Sequence, residues 1–137
     1  MTTTTSSATE TAFDLSSEDS LSAEQIAKYQ RDGHILLHNV ASPEEVTAYR
    51  PIINQAAERF NTETRPLRDR YTYGKAFLQI ENLWVRDASV KRFTTARRFA
   101  KIAADLMGVR GVQIYHDQAL FKKPGGGSTP FHQDQYY

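Results

Sequence analysis

The first twenty residues have no apolar periodicity. Met1 to Ser7 is rich in Thr and Ser, and after Met1 only Phe13 and Leu15 bring large apolar side chains before Leu21. Such a stretch cannot bury enough apolar surface to offset the entropy of ordering it. Residues 1–20 are therefore expected to form a disordered tail, and deleting Met1 to Ser16 is expected to leave folding nearly unchanged. Phe13 and Leu15 could dock, but the pattern does not require it.

From Leu21 the pattern changes. Ser22 followed three residues later by Gln25 is a capping box, and Leu21 and Ile26 occupy the staple positions beside it, predicting a helix to about Arg31 that stops at Gly33. His34 to Val40 reads as a short strand. Ser42-Pro43-Glu44-Glu45 opens a second helix, with proline at the first helical position, and it is expected to run to about Phe60 with an interruption at Pro51. Asn61 to Gly74 reads as a loop and Ala76 to Trp84 as a strand. Asp87 is placed to cap a short turn through Phe93. A further helix is expected from Thr95 to Gly108, with Phe99, Ile102, Ala103 and Leu106 on one stripe at helical spacing. Val112 to Phe121 is the longest strand candidate. A Pro- and Gly-rich loop, Lys123 to Pro130, leads into Phe131-His132-Gln133-Asp134-Gln135-Tyr136-Tyr137.

Helices come first and strands accumulate late. The aromatic, strand-like sequence at the end carries no turn or cap, so a fragment of a larger sheet is expected. There is no internal repeat.

Composition narrows the classes. At 137 residues and a net charge of +1, one small domain is expected, and nothing points to nucleic acid or a membrane surface. No apolar run approaches the roughly 18 residues that would span a bilayer. The N-terminus lacks the basic and apolar regions of a secretory signal. The chain contains no cysteine, which removes disulfides, zinc–thiolate sites and thiol nucleophiles. A cytoplasmic protein is the default expectation.

The candidate chemistry lies at the end of the chain. His132 and Asp134 are two residues apart, so on an extended strand they point to the same face, where an imidazole nitrogen and a carboxylate oxygen can converge on one metal. That pair is two-thirds of the facial triad of non-haem Fe(II) oxygenases, which leaves positions open for cosubstrate and dioxygen. A His-x-Asp tripeptide arises by chance in roughly a quarter of chains of this composition, so the tripeptide alone is weak. The Gly-rich loop before it and the aromatics around it suit a partly buried pocket. His34 and His38, on an early strand, read as ordinary packed or exposed histidines.

Several motifs in order resemble the phytanoyl-CoA dioxygenase family over Leu21 to Tyr137, which is read as the N-terminal part of one such oxygenase domain. They are the helix running into Asp32-Gly33, the Ser42-Pro43-Glu44-Glu45 helix start, Asn82-Leu83-Trp84, Leu106-Met107-Gly108, Lys123-Pro124-Gly125, and Pro130-Phe131-His132-Gln133-Asp134. The ordered set is far more specific than any one piece. The resemblance implies an α+β architecture: N-terminal helices plus the first strands of a double-stranded β-helix, or jelly roll, incomplete in this chain. It implies that His132 and Asp134 bind Fe(II), that 2-oxoglutarate is the cosubstrate, and that ascorbate serves as an accessory reductant. A second histidine and a 2-oxoglutarate-gripping arginine are expected beyond Tyr137; His34, His38 and His116 do not match the family's ligand positions.

The implied reaction is hydroxylation of an unactivated C–H bond of a small-molecule substrate, with release of succinate and carbon dioxide. Related halogenases lack the carboxylate that Asp134 supplies, which favours hydroxylation. Gln79 and Gln118 are candidate cosubstrate-binding amides, on the strand before Asn82-Leu83-Trp84 and on the long strand expected to line the barrel mouth. The bland alternative for both is a solvent-facing strand residue. Lys122 and Lys123 could attract an anionic substrate, although loop lysines are usually just solvated. Trp84 and Tyr136 are candidates for the pocket wall. The competing reading is an inactive fragment that acts at most as a binding or self-associating module. Neither the substrate nor the oligomeric state is legible.

Overall fold

The computed structural model describes residues 15–17, 20–129 and 131. Among the described residues, six α-helices, one 3-10 turn and two short strands follow one another: α1 Ala23–Asp32, α2 Pro43–Phe60, the 3-10 turn Leu67–Asp69, α3 Thr72–Ala76, β1 Leu78–Glu81, α4 Leu83–Arg86, α5 Ala88–Thr94, α6 Arg97–Met107 and β2 Gln118–Phe121.

Local chemistry sets most of the boundaries. The Ser22 and Ser42 hydroxyls accept from the backbone of Gln25 and Glu45, whose side chains return the bond to the cap backbone, so both expected capping boxes form. Gly33 and Gly108 take left-handed backbone at φ +74° and +67°, which a glycine adopts without steric cost, and there α1 and α6 end. Asp87 accepts from the amides of Ser89 and Val90 and starts α5. Thr95 does not open α6. Its hydroxyl donates to the Lys91 carbonyl, making it the C-cap of α5, and Ala96 takes the N-cap place.

The core sits on one side of α2. Tyr49, Ile52, Ile53, Ala56, Ala57 and Phe60 recur at helical spacing and meet two clusters that share Ile52 and Ile53. One joins α2 to Ile80, Leu83 and Val90, with Leu78, Ala119 and Phe121 packed against it. The other gathers Leu15, Tyr49 and Ala96, with Phe93 and Phe99 alongside. The Tyr49–Phe93 and Phe93–Phe99 ring centroids each lie 5.1 Å apart in tilted and edge arrangements, as aromatic quadrupoles prefer.

The two strands pair antiparallel, with Leu78 opposite Phe121 and Glu81 opposite Gln118. Asn82, at φ +56°, adds a bond from its amide to the Asp117 carbonyl at 2.9 Å before the chain turns into α4.

Several expectations are corrected. His34 to Val40 forms no strand; it is an irregular connection with left-handed backbone at Asn39. The stretch read as a loop from Asn61 to Gly74 contains the 3-10 turn and the start of α3, and the Ala76 to Trp84 strand shrinks to β1 because helices take both its ends. The long strand from Val112 shrinks to β2, since only residues 118–121 have a β1 residue to pair with. The described residues are mostly helical around a two-stranded sheet, so the α+β content is present while the jelly roll is not seen.

Leu15, which the pattern left free to dock, does so. Leu15 is 4% exposed, its carbonyl accepts from the Arg98 amide, and Ser17 accepts from the Arg98 guanidinium. Its partners, the apolar side chains of Tyr49 and Ala96 and the buried Arg98, come from distant sequence. Residues 1–14, 18 and 19 lie outside the described residues. Among the described residues, no helix is long and apolar enough to cross a membrane.

Candidate functional site

The β1–β2 ribbon has two unlike faces, because side chains alternate along each strand. Leu78, Ile80, Ala119 and Phe121 face the helices. Gln79, Glu81, Gln118 and Leu120 share the opposite face, which the helices leave uncovered. The register therefore brings the two candidate amides onto one polar surface, with Gln79 opposite Leu120 and Gln118 opposite Glu81. Each amide has a local partner: Gln79 Nε2 donates to Glu81 Oε1 at 2.8 Å, and Gln118 Nε2 lies 3.0 Å from His116 Nε2. Sequence reasoning passed over Glu81 and set His116 aside. Strand alternation about Gln79 and Gln118 was the signal that could have placed both.

A cleft of about 280 Å³ opens beside this face, bounded by Phe60, Glu63, Tyr71, Gln79, Glu81 and Arg86. Its charges are largely committed. Arg65 Nη2 and Nε bond Glu63 at 2.6 and 2.9 Å, and this fork pulls the Glu63 carboxyl down to about 2. The Arg65 guanidinium also lies 5.7 Å from the Tyr71 ring centroid, and Arg86 lies 5.6 Å from that of Phe60. Arg70, next to Tyr71 in the chain, is buried, with Nε donating to the Arg65 carbonyl at 3.0 Å and Nη1 without a partner among the described residues.

The loop after β2 folds back on the end of the ribbon. The Gly126 amide donates to the Lys123 carbonyl and the Gly127 amide to the Lys75 carbonyl, each at 3.0 Å. Lys122 Nζ donates to the Gly127 carbonyl at 2.7 Å and sits 5.0 Å from the Phe77 ring centroid, so it serves the loop itself. Lys123 is exposed. Trp84 lies outside the cleft lining; its ring meets the Lys91 ammonium, and its indole nitrogen is buried without a partner among the described residues.

His132 and Asp134, the expected metal ligands, and Tyr136 lie outside the described residues; Phe131, just before them, is fully exposed. His34 and His38 are exposed on the irregular connection after α1. Among the described residues, no group of three or more His, Cys, Asp or Glu could hold a metal ion.

Residues 29–137 match the family model of phytanoyl-CoA dioxygenase (PhyH). The chain belongs to the phytanoyl-CoA dioxygenase family. Its members are Fe(II)/2-oxoglutarate dioxygenases, and the matched span includes α2, the ribbon, the Gly-rich loop and the His132-Gln133-Asp134 segment. No curated protein and no solved structure matches the chain.

Proposed function

We propose that this chain contributes the first metal-binding segment of an Fe(II)- and 2-oxoglutarate-dependent dioxygenase that hydroxylates an unactivated C–H bond of a small molecule. The observation that carries this reading is the His132-Gln133-Asp134 segment inside the family-matched span. The donor set fits the metal: one imidazole nitrogen and one carboxylate oxygen are two of the three donors of a facial triad. His132 and Asp134 would hold Fe(II), which with 2-oxoglutarate and dioxygen would supply the oxidising chemistry, one oxygen atom going to the alcohol and the other to succinate as carbon dioxide is released.

The protein's own part is orientation. Gln79 and Gln118 stand on the ribbon face that the helices do not cover, the face left for an interior site once the apolar face is spent on α2, α4 and α5. An amide N–H on that face can donate to a cosubstrate carboxylate and hold it in register. The test is Fe(II)-dependent succinate formation by the protein carrying this chain, compared with its Asp134→Ala variant. Most turnover is expected to vanish, and unchanged turnover removes the metal assignment.

One observation favours a second reading, a self-associating module. Among the described residues the ribbon has no third strand, and Leu120 on it and Tyr115 just before it are exposed. Sedimentation velocity separates the two: a concentration-dependent oligomer with no iron-dependent turnover supports the module.

A further inference from the structure

The Gly-rich loop does more than connect β2 to the metal segment. A Cβ at Gly126 would lie 2.9 Å from the Lys75 carbonyl oxygen and 3.0 Å from that of Lys123. Both obstacles are backbone, and neither can swing aside as a flexible side chain could. The next residue is different: a Cβ at Gly127 would meet only Lys75 Cβ at 3.8 Å and the Ala76 nitrogen at 4.0 Å, which is ordinary contact. Two adjacent glycines thus have opposite tolerances.

The close approach at Gly126 is what lets the Gly127 amide reach the Lys75 carbonyl at the C-terminal end of α3. Lys75 and Ala76 immediately precede β1, whose Leu78 pairs with Phe121 at the end of β2. The loop therefore leaves the ribbon at Phe121, docks on the same end of the ribbon three residues before Leu78, and only then continues toward His132.

We propose that Gly126 is a positioning residue: its missing side chain allows the loop to be clamped to Lys75, which sets the point from which the His132–Asp134 pair departs relative to the polar ribbon face of Gln79 and Gln118. The proposal rests on the metal reading above. With the clamp closed, the stretch from Lys122 to Gly127 is held by its own bonds and by Lys75 on the end of the ribbon; with it open, that departure point is no longer fixed.

The test uses the full chain with Mn(II) alone as a paramagnetic probe, following broadening of the Gln118 side-chain amide by NMR. Wild-type and Gly127→Ala chains are expected to show the same Mn(II)-dependent broadening. Gly126→Ala is expected to lose most of it, together with the slow hydrogen exchange of the Gly127 amide. His132→Ala is expected to abolish it. Equal broadening in Gly126→Ala and wild type overturns the clamp, as does an equal loss in Gly127→Ala, since the contrast between the two glycines would then be absent. Loss of helical circular dichroism in Gly126→Ala also overturns it, because the clash would not be confined to the loop. Broadening that survives His132→Ala instead removes the metal reading and leaves the glycine contrast to be judged by the Gly127 exchange rate.

Discussion

Glu45 and Arg98 form a buried, two-pronged ion pair, with Arg98 Nη1 2.8 Å from Glu45 Oε2 and Nη2 3.0 Å from Oε1. The pair closes a wider junction. Glu45 Oε2 also accepts from the Ser42 amide at 2.7 Å, so one carboxylate completes the α2 capping box and neutralises a cation from α6. Arg98 further donates to the Val40 carbonyl and to Ser17. Three residues far from it in sequence, Ser17, Val40 and Glu45, meet at one guanidinium.

Breaking a buried pair leaves an uncompensated charge, so Arg98→Met is expected to destabilise the chain by about 3–5 kcal/mol, measured by urea unfolding. The pH dependence has a definite sign. Hydrogen bonding from Arg98 holds the Glu45 carboxyl below its usual 4.5. A depressed folded-state value means that this stability is present above the unfolded value and is lost as pH falls through the folded one. Glu45→Gln is expected to flatten the acid limb of the stability profile; an unchanged limb would show that Glu45 does not set it.

Leu15→Ala is expected to cost about 2–3 kcal/mol, because Leu15 packs against Tyr49 and Ala96. Deletion of Met1 to Ser16 removes the same contact and is expected to lower the thermal midpoint measurably. A midpoint that does not move would return Leu15 to the tail that its sequence setting predicts.

Leu83 is fully buried between α2, α5 and the ribbon. Leu83→Ala is expected to cost about 2–5 kcal/mol and to loosen the ribbon along with the helices, seen as faster hydrogen exchange at Ile80. Destabilisation without that acceleration would separate the ribbon from the helical core.

Gln118→Leu is expected to raise the KM for 2-oxoglutarate by about tenfold or more, the worth of one hydrogen bond to a charged group. Its fold should be undisturbed, since Gln118 is exposed and bonds only to His116 among the contacts described for it. A KM within error of wild type would leave Gln118 as the solvent-facing strand residue that is its bland alternative.

Where a few neighbouring residues suffice, the sequence alone determined the outcome. Ser22 with Gln25, Ser42 with Glu45, Asp87, Gly33 and Gly108 each satisfy or end a helix through bonds or backbone freedom within four positions, and all five appear where the pattern puts them. Ordered motifs likewise sufficed for the family. The tertiary structure decided everything that depends on a distant partner. A strand exists only where another pairs with it, so Val112 to Phe121 contracts to the residues opposite β1, and His34 to Val40 has none. Leu15 is buried because Tyr49 and Ala96 are folded around it, and Arg98 can be buried because Glu45 meets it. Gln79 and Gln118 share a face only through a register that neither strand encodes by itself. Local signals are read from spacing; pairing, burial and charge compensation come from residues many positions away, and only the folded chain brings those together.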